Sequence, residues 1–354
     1  MLRIGLHKFL VEANKFKNLK FAILTHSPAI DYDYELSLFK ILKSGIKIKI
    51  IFTPEHGFFG TYQYGENVIE NDIFGIKTIS LYGNDFNSLI PKEEDLEKID
   101  GVIFDIVDIG CRFYTYVWSC ALVLKKAGEM NKKIIVLDRP NPINGVDVEG
   151  PINEITSFVG LYKIPIRHGR TYGEILKMVA EIENVDIILY EVENWNREKY
   201  LDEINFPFVM PSPNIPDVKT AVVYPGMCLL EGTNVSEGRG TTRPFEIFGA
   251  PFINPFEMKK YIEIEGAILR PIYFRPTFSK YKNEICGGFF IHVIDRRKFK
   301  PVECAVKILK TIKKLYPNEF KFLNPPYEFE YNIMPIDLLW GSSKLREEIE
   351  GFVQ

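Results

Sequence analysis

The chain has 354 residues, 46% of them hydrophobic and 26% charged, with a formal net charge of −3. That length calls for two domains or one large α/β unit, and the balance of residues excludes long disorder. The small negative charge supplies no basic field, so no nucleic-acid partner is expected.

The first ten residues carry Arg3, His7 and Lys8 among their apolar neighbours and lack the continuous apolar stretch of a secretory signal. No window reaches the roughly eighteen uninterrupted apolar residues of a membrane span. Cys111, Cys120, Cys228, Cys286 and Cys304 are scattered, with no Cys-x-x-Cys. Such a set reads as reduced, buried thiols, and a cytoplasmic location is the expectation.

Along the chain, β-branched apolar runs at residues 21–25, 46–52, 78–81, 102–107 and 134–137 read as buried strands, because such side chains crowd a helix but suit a pleat. Helical stretches at 34–42, 93–99 and 114–129 alternate with them, which predicts an α/β fold built on a doubly wound parallel sheet. Each strand ends in a polar cluster. Thr25-His26-Ser27-Pro28 follows the first and Pro54-Glu55-His56-Gly57 the second; Tyr82-Gly83-Asn84-Asp85, residues 105–112 and Asp138-Arg139-Pro140-Asn141-Pro142 follow the others. In a parallel sheet these ends share one edge, so the clusters are expected to converge on one crevice.

The Pro-, Gly- and Asn-rich loop 141–151 is expected to close a first domain of residues 1–150, leaving 151–354 as a mixed α+β domain. In that second part, Thr171 and Glu174 form a capping box ahead of a helix over 175–182. A strand is expected at 186–192 and a proline-rich irregular segment at 206–216, with further strands at 221–224, 267–275 and 288–294 and a helix over 301–316.

Residues 53–60, Thr-Pro-Glu-His-Gly-Phe-Phe-Gly, put a carboxylate beside an imidazole where a strand opens into a loop. Pro54 cannot donate to the ladder, and Gly57 and Gly60 allow a tight turn, so Glu55 and His56 are placed at the crevice. A solvated loop or a helix cap is the plainer alternative. Residues 230–246 gather Glu231, Asn234, Glu237, Arg239 and Arg243 in a glycine-rich stretch. Its arginines suit a clamp on an anionic group, and Pro244 suggests a helix start over 242–245. A solvated loop bearing salt bridges is the competing reading. Arg167 and His168 form a second basic pair. Arg112, Tyr114 and Tyr116 follow a strand end where aromatics stack on a sugar or simply pack, and Tyr281 follows another strand end in the second part.

The sequence has no Gly-x-Gly-x-x-Gly, Walker loop, His-Glu-x-x-His or Gly-x-Ser-x-Gly, and none of its five histidines has metal-ligand spacing. No cofactor and no metal are therefore expected. Carboxylates, Tyr, Asn and Arg remain, an inventory suited to glycoside cleavage.

The longer motifs narrow this reading. Phe52-Thr-Pro-Glu-His-Gly with Gly65-Glu66, Phe104-Asp-Ile-Val-Asp-Ile-Gly-Cys-Arg-Phe-Tyr-Thr-Tyr and Val136-Leu-Asp-Arg-Pro-Asn-Pro resemble one family, as do Val148-Glu-Gly-Pro, Pro211-Ser-Pro-Asn, Tyr224-Pro-Gly, residues 231–246 and Pro276-Thr-Phe-Ser-Lys-Tyr. The chain resembles the exo-β-N-acetylmuramidases over roughly residues 20–320, strings too long to recur by chance. The resemblance implies an enzyme that releases β-linked N-acetylmuramic acid from the non-reducing end of peptidoglycan fragments. It also implies a Rossmann-like domain followed by a smaller one, with the active site in the cleft between them.

Under this resemblance Glu55 is the catalytic carboxyl, and Glu66, Asp105, Asp108 or Glu237 is the second group. A carboxyl separation of roughly 5–5.5 Å suits retention and roughly 6.5–9.5 Å inversion, while the substrate's own acetamido oxygen is a third possible nucleophile. Arg239, Arg243 or Arg167 is expected to bind the lactyl carboxylate. His56, Arg112, Tyr114, Asp138, Arg139, Asn141, His168, Asn234 and Tyr281 complete the expected substrate contacts. Two other functions fit the same residues: a non-catalytic two-lobed protein that binds muropeptides or sugars, and an amidase with a nucleophile or metal.

Overall fold

The computed structural model describes residues 2–351, which divide into two compact units. The first comprises the residues up to Gly110 together with Tyr114–Asp147 and Gly169–Val218. The second comprises Cys111–Phe113, Val148–His168 and the residues from Lys219 onward.

The first unit opens with α1 (Gly5–Glu12), then runs through β1 (Lys20–Thr25), α2 (Ser37–Lys43), β2 (Lys47–Thr53), β3 (Asp72–Ile73), β4 (Ile76–Ser80), α3 (Glu93–Leu96), β5 (Gly101–Asp105), α4 (Tyr116–Glu129), β6 (Lys133–Leu137), α5 (Tyr172–Glu183) and β7 (Ile188–Tyr190). Its seven strands lie in the order β3-β4-β2-β1-β5-β6-β7. All pair in parallel except the short edge strand β3, which is antiparallel to β4. The expected strands are therefore present, and the sheet is doubly wound. From β1 the chain first builds toward β4 on one side and then returns to place β5, β6 and β7 on the other. β1 and β5 are the adjacent strands where this direction reverses, the position at which open α/β sheets bind their ligands.

Burial follows from this arrangement. β5 is buried along its whole length and β1 beyond its first residue, as expected of central strands covered on both faces. Gly101 lets β5 approach its neighbour, since a Cβ there would stand 2.5 Å from the Lys133 carbonyl oxygen. The capping box forms at the start of α5: the Thr171 hydroxyl accepts from the Glu174 N–H at 3.1 Å, and a Glu174 carboxylate oxygen accepts from the Thr171 N–H at 2.9 Å. Because β7 pairs with β6, residues 172–190 supply the last crossover of this sheet, and the first unit extends to Val218. A single division after residue 150 places that crossover in the other domain.

The second unit carries most of α6 (Val218–Met227), then β8 (Ile247–Ala250), α7 (Pro255–Met258), β9 (Ala267–Phe274), β10 (Cys286–Val293), α8 (Pro301–Leu315), α9 (Pro335–Trp340) and α10 (Lys344–Gly351). Its strands form an antiparallel sheet in the order β8-β10-β9. Two local expectations differ from the structure. Residues 221–224, read as a strand from their β-branched content, lie inside α6, where nearly every side chain is buried and tertiary packing overrides local propensity. Residues 242–245 form a turn into β8 rather than a helix start, with Phe245 at φ 62°. Among the described residues no helix is long and apolar enough to cross a membrane.

Candidate functional site

β2 delivers Glu55 and His56 to the edge of the sheet where the strands end. Pro54 stops the ladder, and the Gly57 N–H returns to the Pro54 carbonyl at 3.1 Å, closing a turn. His56 sits at φ 70°, a left-handed conformation costly for a side chain with a Cβ. Glu70 braces the turn: its carboxylate accepts from the Thr53 hydroxyl at 2.7 Å and from the Phe58 N–H at 2.9 Å. Gly57 is obligatory here, because its φ is 76° and a Cβ would stand 2.9 Å from that carboxylate.

Glu55 is only 5% exposed. One carboxylate oxygen, Oε2, accepts from the Thr115 hydroxyl at 2.8 Å, whereas Oε1 is buried without a hydrogen-bond partner in the protein. Thr115 is the cap residue immediately before α4, so the carboxylate stands at the positive end of a fourteen-residue helix. His56 Nδ1 lies 2.8 Å from the Tyr62 carbonyl oxygen, which fixes the proton on Nδ1 and leaves Nε2 as the acceptor of the neutral ring.

Around this carboxylate lie Tyr114 and Tyr116, with ring centroids 4.5 Å apart. Tyr116 donates to the Pro211 carbonyl at 2.8 Å, tying the proline-rich segment to the start of α4. Burial pushes both phenols well above their ordinary range, and the negative charge of Glu55 adds to the effect, so both stay protonated. Asp108 is also buried, with Oδ2 accepting from the Gly110 N–H at 2.8 Å.

His26 belongs to the polar cluster expected after β1 but is not among the expected site residues; it directly follows Thr25, the β1 residue that pairs with Asp105 at the end of β5. It is 1% exposed, and its Nε2 accepts from the Val107 N–H at 2.8 Å. Its ring packs edge-on against Tyr116 at 5.1 Å, and His56 meets the same ring at 6.3 Å. The next residue, Ser27, donates its N–H to the Phe58 carbonyl at 2.6 Å, so the loops after β1 and β2 are laced together. The polar cluster after β1 was the available signal, although a lone histidine usually reads as structural.

Other expected residues of the first unit are engaged within it. Asp105, fully buried, pairs with Arg139 at 2.6 and 3.1 Å, and Arg139 also donates to the Ile30 carbonyl and the Ser37 hydroxyl. Asp138 accepts from the Thr171 hydroxyl at 2.8 Å and the Gly173 N–H at 2.9 Å, which anchors α5, and burial raises its carboxyl to about 7. Asn141 accepts from the Ile143 N–H at 3.0 Å and donates to the Arg170 carbonyl at 2.9 Å. Glu66 is exposed and accepts from the Gln63 N–H within its own turn.

In the second unit, Arg112 is buried and donates to the carbonyls of Pro151, Ile164 and Leu339. Arg167 pairs with Glu149 at 3.1 Å, and His168 is buried. Arg239 pairs with Glu231 at 2.7 Å and with Glu237 at 3.4 Å, and its guanidinium lies over the Phe245 ring at 5.0 Å. Lys280, which lies in the Pro276-Thr-Phe-Ser-Lys-Tyr motif, donates to Glu237 at 2.9 Å and to the carbonyls of Leu230 and Val235. Lys280 and Arg239 hold the Glu237 carboxyl below its ordinary range. Asn234 braces the loop by donating to the Glu319 carbonyl and accepting from the Lys321 N–H. Tyr281 is half-buried with φ 56°. Arg243 keeps 44% of its side chain exposed and lines a cavity of about 190 Å³ with Lys219, Glu246, His292 and Arg296.

The model of the N-terminal domain of the exo-β-N-acetylmuramidase NamZ matches residues 21–219, and that of its C-terminal domain matches residues 222–353. The chain belongs to the NamZ family. It is 37% identical to the peptidoglycan β-N-acetylmuramidase NamZ of Bacillus subtilis, over 99% of this chain and 84% of that protein. Two crystal structures of DUF1343 family proteins from Bacteroides fragilis share the fold at 26% identity. One aligns with a TM-score of 0.86 over 100% of this chain and 92% of its own, the other with 0.73 over 99% and 91%. In this NamZ family member, Glu55, His56, Tyr114, Asp108 and His26 come from the ends of β2 and β5, the start of α4 and the end of β1. A buried carboxyl with one unengaged oxygen and permanently protonated phenols nearby is equipped for proton transfer to a glycosidic oxygen.

Proposed function

We propose that the protein is an exo-β-N-acetylmuramidase that cleaves β-linked N-acetylmuramic acid from the non-reducing end of peptidoglycan-derived saccharides, with Glu55 as the catalytic carboxyl. The observation that carries the residue assignment is the asymmetry of Glu55: Oε2 is held by Thr115, and Oε1 is buried with no protein partner. A carboxyl fixed through one oxygen keeps the other aimed, and proton delivery to the leaving oxygen contributes about 10²–10⁴ in rate.

For the second role we favour the substrate's own acetamido oxygen as nucleophile, with Asp108 orienting it and Tyr114 donating beside it. Asp105 is salt-bridged to Arg139, Glu66 is exposed, and Glu237 is paired with Lys280 and Arg239; Asp108 is buried in the loop that runs from β5 to the start of α4, where Thr115 holds Glu55. Among the three arginines considered for the lactyl carboxylate, Arg167 and Arg239 are committed to buried carboxylates. Arg243 also meets a buried carboxylate, Glu246 at 3.6 Å, but keeps 44% of its side chain exposed, and that exposure makes it the candidate. The five cysteines are buried and form no disulfide among the described residues, which accords with a reducing, cytoplasmic setting.

The test is hydrolysis of para-nitrophenyl β-N-acetylmuramide beside the matching β-N-acetylglucosaminide, by wild type and Glu55→Gln. Cleavage of the muramide alone is expected, with the variant impaired far more on a muramic-acid disaccharide than on this activated substrate. A folded wild-type protein that cleaves neither would return the weight to a binding protein.

A further inference from the structure

We infer that His26, at the point where the sheet reverses direction, is a substrate-binding residue: its Nδ1–H donates to an uncharged oxygen of the muramic acid ring substituents, the acetamido carbonyl or a hydroxyl. The inference rests on the glycosidase reading and adds a specific contact to it.

Three observations carry it. The Val107 N–H donates to His26 Nε2, so in the neutral ring the proton is on Nδ1. Nδ1 is buried and has no hydrogen-bond partner in the protein, although unsatisfied buried donors are rare and costly. Finally, the ring is locked by that backbone bond and by the edge contact with Tyr116, the residue that follows the Glu55-binding Thr115. The loops after β1 and β2 thus present a fixed donor, His26 Nδ1–H, and a carboxyl oxygen, Glu55 Oε1, and neither has a partner in the fold. A sugar can engage both, since its carbonyl or hydroxyl oxygens accept from the imidazole and its glycosidic oxygen accepts the proton that the carboxyl delivers.

The choice of an uncharged acceptor follows from the electrostatics. Burial, together with the charge of Arg139 and the neighbouring His56, holds the His26 imidazole down to about 3. The ring is therefore neutral at working pH and offers a hydrogen bond rather than a counter-ion for the lactyl carboxylate. A donor aimed at an acceptor in a dry site discriminates strongly against ligands that lack the acceptor.

Two isosteric variants separate this role from a structural one. Asn places its amide N–H near the position of Nδ1 and loses the acceptor for Val107, whereas Gln can keep that acceptor and loses the Nδ1 donor. If His26 binds substrate, His26→Gln lowers kcat/KM on the muramide by about 10- to 100-fold, and His26→Asn recovers most of that loss. The opposite ranking, equal losses or no loss in either would overturn the inference. A measurement on the unmutated protein covers the case in which a variant fails to fold. In protein with ¹⁵N-labelled histidine, saturating N-acetylmuramic acid is expected to shift the His26 Nδ1–H resonance, and an unmoved resonance in protein that binds the sugar overturns the contact. Because that arm reads binding alone, a protein that shifts the resonance but cleaves no muramide would fail as a glycosidase while His26 stands as a sugar ligand.

Discussion

The Thr115 hydroxyl donates to Glu55 Oε2 at 2.8 Å across a sequence separation of 60 residues. It is the only hydrogen bond that positions the proposed acid among the described contacts, and it links the end of β2 to the start of α4. Thr115→Val keeps the shape and removes the donor. Losing a bond to a buried charged group is worth about 1.5–3 kcal/mol, so kcat/KM should fall about 10- to 100-fold. Thr115→Ser should recover most of it. Kinetics on a muramic-acid disaccharide, whose leaving group needs the proton, would show this, and an unimpaired Val variant would remove Thr115 from the site.

Glu55→Gln keeps the Thr115 contact and cannot protonate a leaving group. Its loss should depend on that leaving group: about 10²–10⁴-fold on a disaccharide, whose departing alkoxide needs the proton, and much less on an activated aryl muramide. Similar losses on both substrates would point to a role other than acid.

If the acetamido oxygen attacks C1, a muramic-acid thiazoline, which mimics the cyclised intermediate, should inhibit competitively and more tightly than N-acetylmuramic acid. Asp108→Asn should weaken the thiazoline more than the product. Trapping of a covalent glycosyl-enzyme would instead indicate a protein nucleophile.

Arg243→Met should raise KM for the muramide about 10-fold without a matching change for any residual glucosaminide cleavage, since only muramic acid carries the lactyl carboxylate. Equal effects on both substrates would assign Arg243 to the fold.

Two buried groups give opposite pH dependences. The Asp138 carboxyl is raised from an ordinary 3.8 to about 7, so the folded state holds the extra proton. Stability from this group is complete below pH 4 and lost as pH rises to 7, on the order of 4 kcal/mol. His26 is lowered from 6.5 to about 3, and its contribution is present above pH 6.5 and lost on acidification. Between about pH 4 and 6.5 the two largely cancel. Relative to wild type, Asp138→Asn should therefore gain stability as pH rises from 4 to 7, and His26→Asn should gain it as pH falls below 6.5. Urea midpoints across that range would show the two trends, and parallel curves for all three proteins would contradict them.

The sequence makes some of this site legible and hides the rest for physical reasons. β2 and its turn are readable because Pro54, Gly57 and Gly60 each impose a local backbone rule, and the Thr171–Glu174 box is readable because both of its bonds are local. The buried partners of Arg239 and Arg112 are not, because a guanidinium in a polar loop looks the same whether it meets substrate, Glu231 or three carbonyls. α6 defeats a reading by propensity, since valines buried on every side of a helix resemble a strand. His26 is hidden differently: its meaning depends on β1 and β5 lying side by side, and strand order is not written in local pattern.

Glu70 joins Thr53 to Phe58 through its two oxygens, turning a 17-residue excursion into a ring whose clasp is inside the protein. The chain's freedom at Glu55 and His56 is thus surrendered during folding, before any sugar arrives. Binding then proceeds without ordering this segment, and the affinity of a transition-state mimic reflects contact energy with little entropic deduction. Glu70→Gln returns that deduction to the binding step, appearing as a less favourable binding entropy while Glu55 itself is unchanged.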